Sequence, residues 1–254
     1  MMTETRKPLY LLADSQLLFS DPKHSRFFES IRESLQVDCV TVTKAAYIGA
    51  SNGDNPDYFA LFTAAMDKIN IHQSRMISSN FTNEDKNFLL EADLILLAGG
   101  DFFLGWETIK NKGIGEVVVD KYYSGTVVVG VSAGAMHLGM GGFERHSKTV
   151  IDTLKLVPYY VATNGDASQW EELKNIIIQK ESYAKGFGVA AGGGMIFHAD
   201  ATVEPLGNPL IEIERSSKSN IISTNILLPL HYSSVDGKHI SPSNASLSEK
   251  VFAS

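Results

Sequence analysis

The sequence predicts an α/β protein with a mainly parallel, doubly wound sheet and helices on both of its faces. Short apolar runs alternate along the chain with longer segments in which apolar residues recur every three or four positions. The runs at 93–98 and 126–129 are apolar almost throughout, which is typical of strands covered on both faces. After Gly186, short apolar segments are separated by turns such as the one at 207–209, which predicts antiparallel strands added to the sheet.

The first half of the chain is predicted to form four strand–helix units. In each unit a short apolar strand is followed, after a polar turn, by a segment whose apolar side chains share one helical face. Thr82, for example, is expected to cap a helix whose first turn is acidic. The predicted strands cover 9–13, 40–48, 75–78 and 93–98. The predicted helices cover 22–35, 57–69 and 82–92, and one or two further helices fill 102–124.

The second half begins with a strand at 126–129 and a helix that opens at Ser132. After Gly139 the pattern changes to an amphipathic helix at 167–179 and a series of short strands, at 187–191, 195–198, 202–205, 210–213 and 221–228. The three glycines at 192–194 are interpreted as a tight hairpin. We expect a single domain over 1–232, followed by a loosely ordered, serine-rich tail at 233–254.

Charge and composition indicate which partners, location and cofactors to expect. The chain of 254 residues has a net charge of −7, which gives no reason to expect nucleic acid or an anionic membrane as a partner. The sequence has no run long enough to span a bilayer, and its polar start lacks the apolar core of a signal peptide, so the expected location is the cytoplasm. The single cysteine, Cys39, is interpreted as a core thiol. No metal-ligand cluster or phosphate-binding loop is evident, and neither a metal nor a cofactor is expected.

The segment Gly130-Val131-Ser132-Ala133-Gly134 carries the strongest chemical signal in the sequence. A serine between a strand and a helix, flanked by glycines, is typical of a nucleophile exposed on a sharp turn. Backbone N–H groups at such a turn can stabilise a developing negative charge. The alternative is a tight turn in which Ser132 only caps the helix.

Two elements together carry a family resemblance. An apolar strand ends in Gly99-Gly100-Asp101, and the Ser-Ala-Gly-Ala elbow at Ser132 follows about thirty residues later. This pair resembles the S51 family of serine peptidases, which includes dipeptidase E and cyanophycinase and has the class I glutamine amidotransferase-like fold. The resemblance covers roughly residues 8–215.

The resemblance implies roles for matched positions. Ser132 would be the nucleophile, and the N–H groups of Gly100, Asp101 and Ala133 would form the oxyanion hole. A glutamine amidotransferase would carry cysteine at position 132, so that activity is disfavoured.

The chain departs from this family pattern at the position of the general base. The family's histidine follows a segment matched here by Leu154–Pro158, and the ungapped match puts Asn164 in its place. An asparagine amide has no basic lone pair and cannot take a proton from serine. A second departure is the glycine-rich run at 190–194, where relatives often place an acidic residue.

Other histidines are candidates for the missing base. His146, in a loop after the nucleophile helix, is the main substitute. His137 comes five residues after Ser132, about 140° around the helix, and should point elsewhere. The remaining alternatives lie on a later strand, beside Asp200, and in the C-terminal region: His198, His231 and His239.

We therefore expect a serine hydrolase that cleaves a small peptide or amide bond, with Asp-containing and β-aspartyl substrates as candidates. Arg145 and Lys148 could hold an acidic side chain, and Tyr160 could line the pocket, although solvated cations and a packing tyrosine are the alternatives. The competing interpretation is a catalytically impaired relative that binds a ligand or protein partner. A homodimer is left open.

Overall fold

The computed structural model describes residues 6–23, 25–35, 43–144, 149–164, 167–180, 183–216, 221–230 and 251–252. These residues form two large sheets and a separate two-stranded sheet. The strands are β1 (Leu9–Leu12), β2 (Lys44–Ile48), β3 (Gln73–Ile77), β4 (Leu94–Leu97), β5 (Val127–Val131), β6 (Gly141–Glu144), β7 (Thr149–Asp152), β8 (Tyr160–Thr163), β9 (Ala184–Val189), β10 (Gly194–Phe197), β11 (Val203–Leu206), β12 (Leu210–Arg215), β13 (Ile221–Leu227) and β14 (Val251–Phe252). The α-helices are α1 (Arg26–Leu35), α2 (Pro56–Asp67), α3 (Asn83–Glu91), α4 (Phe102–Asn111), α5 (Ile114–Tyr123), α6 (Ala133–Leu138) and α7 (Ala167–Ile178).

The larger sheet has seven strands in the order β11-β10-β1-β5-β4-β2-β3. The five strands from β1 to β3 in that order pair in parallel, so their carboxyl ends meet at one edge. The strands β10 and β11 complete the sheet with antiparallel pairing. The predicted α/β class, with a mainly parallel sheet and added antiparallel strands, is confirmed.

Helices cover both faces of this sheet. Neighbouring residues of each central strand therefore pack into different hydrophobic clusters, one on each face. Leu9 and Leu11 of β1 pack in one cluster with residues of α4, α5 and α6. Tyr10 and Leu12 pack in the other, with residues of α1 and α2. Burial on both sides explains why these strands read as continuous apolar runs.

The later strands do not all join the main sheet. The strands β12 and β13 form a second sheet with β8, β9 and β14, in the order β14-β13-β12-β9-β8. Because β9 and β10 belong to different sheets, Gly192–Gly194 connects two sheets, and the predicted hairpin between paired strands is wrong. The predicted tail lies outside the described residues, except that Val251 and Phe252 pair with β13.

Two short 3-10 helices, Gln16–Phe19 and Ala50–Asn52, were not predicted from the sequence. Each follows a strand of the main sheet, β1 or β2, at its carboxyl end. They therefore lie at the same edge of the sheet as Ser132, which follows β5. None of the described helices is both long enough and apolar enough to cross a bilayer.

Candidate active site

Ser132 sits in a strained turn between β5 and α6. Its backbone has φ 50° and ψ −113°, a conformation that side chains rarely adopt because Cβ clashes with the main chain. The turn is held at both ends, since the Ser132 N–H donates to Leu12 O at 2.8 Å and Met136 N–H donates to Ser132 O at 3.1 Å. This is the geometry expected of a serine nucleophile on an exposed elbow.

The glycines of the elbow are required by close packing. A Cβ added to Gly134 would lie 2.1 Å from Leu97 O, and one added to Gly130 would lie 2.6 Å from the backbone of Ala135. Helix α6 therefore lies directly on the strands below it. The sequence pattern has a physical cause here, because any side chain at these two positions would push the helix, and with it Ser132, out of place.

Two backbone N–H groups near Ser132 are available as donors. Gly100 has φ +141°, and a Cβ there would lie 2.1 Å from Ser51 O, so this position also requires glycine. Within the described residues, no acceptor contacts the N–H of Gly100 or of Ala133, the first residue of α6. Both groups are therefore free to act as the oxyanion donors, a role that stays a prediction for Gly100 and Ala133.

The third predicted oxyanion donor, the N–H of Asp101, is not available. The Asp101 N–H donates to Ser51 O at 2.7 Å and is therefore already occupied. The side chain of Asp101 caps α4 by accepting from Leu104 N at 2.9 Å. Asp101 thus fixes the turn that presents Gly100, instead of offering a donor to a substrate.

Asn164 lies next to the serine hydroxyl. Its Nδ2 donates to Ser132 Oγ at 3.2 Å and also to Ala13 O. The residue has φ 58°, in the left-handed region that asparagine tolerates better than most residues. The Asn164 amide is therefore the donor in this hydrogen bond, and Ser132 Oγ is the acceptor. The amide offers no atom at this contact that could accept the serine proton.

The described histidines are not bases for Ser132. His137 is fully buried under α4, and its Nε2 donates to Phe102 O at 2.9 Å. Burial lowers the pKa of His137 to about 4, so the ring stays neutral. Its centroid lies 4.8 Å from that of the Phe102 ring, and the two rings are tilted by 36°.

His198 lies at the wrong end of the sheet. In the pairing of β1 with β10, Leu12 lies opposite Gly194, and Leu9 lies opposite Phe197. His198 follows Phe197 and so lies roughly 13 Å along the strand from the edge where Ser132 is found. Its Nε2 contacts Glu204 at 3.0 Å.

The other predicted residues fall into two groups. His146, Arg145, Lys148, His231 and His239 lie outside the described residues. Tyr160 is only 6% exposed and packs beneath α7 with Leu173 and Ile177. It does not line the pocket described below, so the expectation that it contacts a substrate there is wrong.

A pocket of about 350 Å³ opens beside Ser132, at the carboxyl ends of the parallel strands. Open α/β sheets bind ligands at this edge, and the volume lies at the small end of the range for ligand pockets. The walls are apolar and come largely from the first 3-10 helix and from α2: Leu18, Phe19, Tyr58, Leu61 and Phe62. The lining also includes the polar residues Asp14, Ser15, Asn52 and Asn164, together with Ser132 itself.

Asp14 is the one charged residue among those that line the pocket. Its carboxylate accepts from Gln16 N at 2.8 Å and from Gly192 N at 2.7 Å. Asp14 was not among the site residues predicted from the sequence. Its position was a usable signal, because it comes directly after the first strand and therefore at the same edge as Ser132. Among the described residues, no group of three His, Cys, Asp or Glu side chains could hold a metal ion.

Comparisons with known proteins concern the family and the fold of the chain. A family model for peptidase family S51 matches residues 11–206. The structure of a peptidase from an acI-B1 actinobacterium superposes with a TM-score of 0.63 at 14% identity, over 89% of this chain and 98% of that one. A candidate peptidase E from Listeria monocytogenes EGD-e superposes with a TM-score of 0.57 at 16% identity, over 78% of this chain and 97% of that one. No curated protein matches the sequence.

Proposed function

Since this chain belongs to peptidase family S51, we propose that it is a serine hydrolase that cleaves a small peptide or amide bond through an acyl-enzyme on Ser132. The observation that carries the proposal is the strained elbow of Ser132 at the mouth of a pocket. A serine is held in such a conformation only where the surrounding structure enforces it, and such positions cluster at functional sites.

In the proposed reaction, Ser132 Oγ attacks the substrate carbonyl, and the resulting oxyanion accepts hydrogen bonds from the N–H groups of Gly100 and Ala133. The C–N bond then breaks, the serine proton is transferred to the leaving amine, and the acyl group stays on Oγ. A water molecule attacks the ester, the Oγ–acyl bond breaks, and the hydroxyl regains a proton.

Asn164 has a positioning role in this proposal. Its N–H holds Oγ in place at 3.2 Å, and it cannot itself remove the proton. Oxyanion stabilisation and substrate binding alone sustain roughly 10³–10⁴-fold catalysis over water in a serine protease without its triad. His146 remains our candidate for a base that would add to this rate.

The second candidate function is a binding protein that has kept the pocket and lost the chemistry. The hydrogen bond from Asn164 Nδ2 to Ser132 Oγ favours it, because the family's histidine would stand at this position. Both candidates use the same pocket, and they differ in whether a covalent bond to Ser132 ever forms.

Hydrolysis of a dipeptide panel, followed by mass spectrometry, separates the two. The panel contains Asp-X, β-aspartyl and apolar dipeptides. We expect turnover of at least one member by the unmodified protein, its loss in Ser132→Ala, and no change in Ser124→Ala, which removes an exposed serine outside the pocket. Turnover that survives Ser132→Ala contradicts the proposed mechanism, and the absence of turnover across the panel favours the binding protein.

A further inference from the structure

The pocket beside Ser132 combines three features that fit one kind of ligand. Its lining includes several large apolar side chains, a single carboxylate and the serine with its hydroxyl. The α-carbon of an N-terminal residue carries three matching groups: a side chain, an ammonium and the carbonyl of the first peptide bond. We infer that the pocket selects short peptides whose N-terminal residue has a bulky apolar side chain and a free ammonium that pairs with Asp14. This inference rests on the proposed function for the cleavage step only.

The apolar wall is unusually open to solvent. Phe19 is 43% exposed, Tyr58 is 54% exposed and Leu61 is 44% exposed, and all three line the same pocket. Large apolar side chains gathered around one cavity are typical of a surface that a ligand covers. A leucine or phenylalanine side chain placed here would remove both its own surface and this wall from water.

The strands add further apolar residues to the lining. Tyr47, Leu96 and Val131 line the same pocket from near the carboxyl ends of β2, β4 and β5. The hydroxyl of Tyr47 is already occupied, because it accepts from Asn52 Nδ2 at 2.8 Å. Burial raises the pKa of Tyr47, so its phenol stays neutral, and a neutral phenol cannot form an ion pair with an acidic side chain.

The charge of the pocket opposes an acidic side chain. Among the described residues that line it, Asp14 is charged, and none is a lysine, arginine or histidine. An aspartate side chain of a substrate would have to leave water for an apolar wall beside a second carboxylate, which is unfavourable on both counts. An ammonium group has the opposite preference and would gain a charge-assisted hydrogen bond.

Asp14 is suited to receive that ammonium group. Three N–H donors hold its carboxylate in a fixed orientation: the backbone N–H groups of Gln16 and Gly192, and the Gln16 side-chain amide, whose Nε2 donates at 3.3 Å. An ionised carboxylate has about four acceptor sites, so one further donor can still bind. The carboxylate of Asp14 is therefore held in place by the protein and can still accept a hydrogen bond from a ligand ammonium.

Equilibrium binding to the full-length Ser132→Ala protein, measured by calorimetry, tests the inference without requiring turnover. The ligands are Phe-Leu, Asp-Leu and N-acetyl-Phe-Leu. We expect Phe-Leu to bind at least about 10-fold more tightly than either of the others, since one methylene in an apolar pocket already changes binding by about 10-fold or more. Equal or tighter binding of Asp-Leu overturns the inference, as does the absence of binding by all three.

Two variants locate the preference. Leu61→Ala should weaken Phe-Leu about 5-fold, whereas Leu90→Ala, at a leucine that is 47% exposed and outside the pocket, should change nothing. Asp14→Asn should bring Phe-Leu close to its N-acetylated form in affinity. Equal effects of the two leucine variants, or an undiminished preference for the free ammonium in Asp14→Asn, would overturn this assignment of the walls.

Failure of the inference can be distinguished from failure of the proposed function. Selective binding of Phe-Leu without hydrolysis by the unmodified protein leaves the ligand class in place and removes the hydrolase. Hydrolysis confined to Asp-Leu, lost in Ser132→Ala, leaves the hydrolase in place and overturns the apolar preference.

Discussion

Replacing Asn164 by histidine should supply the general base that is absent from the described surroundings of Ser132. Asn164 Nδ2 lies 3.2 Å from Ser132 Oγ, so an imidazole nitrogen at this position would be within hydrogen-bonding reach of the hydroxyl. Histidine is also among the residues that adopt a positive φ more readily than most, and position 164 has φ 58°.

The expected gain follows from two opposing effects. A well-placed general base raises a rate by about 10²–10⁴-fold. The substitution also removes the hydrogen bond from Asn164 Nδ2 to Ala13 O, and a typical bond of this kind contributes about 1 kcal/mol, or roughly 5-fold. The net expectation is an increase in kcat/KM of about 20- to 2,000-fold.

The pH dependence gives the new base a signature. A histidine with an ordinary pKa is mostly unprotonated, and so able to act as a base, only above about pH 6.5. The gain in rate should therefore disappear as the pH falls through that value. The assay is kcat/KM for the best dipeptide of the panel, measured from about pH 5 to about pH 8. Asn164→Ala removes the same amide without adding a base and is the matched control.

The double variant Ser132→Ala with Asn164→His should be inactive, because the base would have no nucleophile to act on. If Asn164→His is no faster than Asn164→Ala at neutral pH, the placement of position 164 as the site of the base is refuted.

Two further predictions concern stability. Gly134→Ala should lower the free energy of unfolding by about 3 kcal/mol or more, because its Cβ would meet Leu97 O at 2.1 Å. Gly115→Ala should cost far less, because its Cβ would meet side-chain ends first, Leu154 Cδ2 at 3.1 Å and Ile109 Cγ2 at 3.4 Å. Equal midpoints of urea denaturation for the two variants would contradict this packing. The pKa of His137 is lowered to about 4 in the folded chain, so an unfolded chain binds a proton between about pH 6.5 and 4 that the native state does not. The free energy of unfolding should therefore keep this contribution above about pH 6.5 and fall by about 3 kcal/mol between about pH 6.5 and about pH 4. His137→Gln should remove this part of the decline, and urea denaturation at several pH values measures it. An unchanged slope in His137→Gln would show that another group is responsible.

The fold was largely predictable from local patterns. The parallel strands are buried on both faces, so they appear in the sequence as apolar runs, and α2 and α3 have capping residues at Asn55 and Thr82. The elbow was also predictable, since Gly130 and Gly134 are demanded by packing within a few residues of Ser132. The family expected from these motifs is confirmed by the match over 11–206.

The rest of the site depends on contacts between distant parts of the chain. The Asp101 N–H bonds to Ser51 O, fifty positions earlier, and no local pattern could have indicated that this donor is occupied. The apolar wall unites a 3-10 helix that carries Phe19 with the outer face of α2 that carries Tyr58 and Leu61. In the sequence, these side chains are indistinguishable from other exposed apolar residues. Only the folded sheet places their elements at one edge.

Covalent labelling distinguishes a nucleophilic Ser132 from a serine that only caps α6. The full-length protein is incubated with a fluorophosphonate, and the modified residue is identified by peptide mass spectrometry. We predict a single adduct on Ser132, formed much faster than any on the exposed Ser124 and absent from Ser132→Ala, because the elbow and the N–H groups of Gly100 and Ala133 stabilise the addition. Labelling of Ser132 no faster than that of Ser124 would contradict the account.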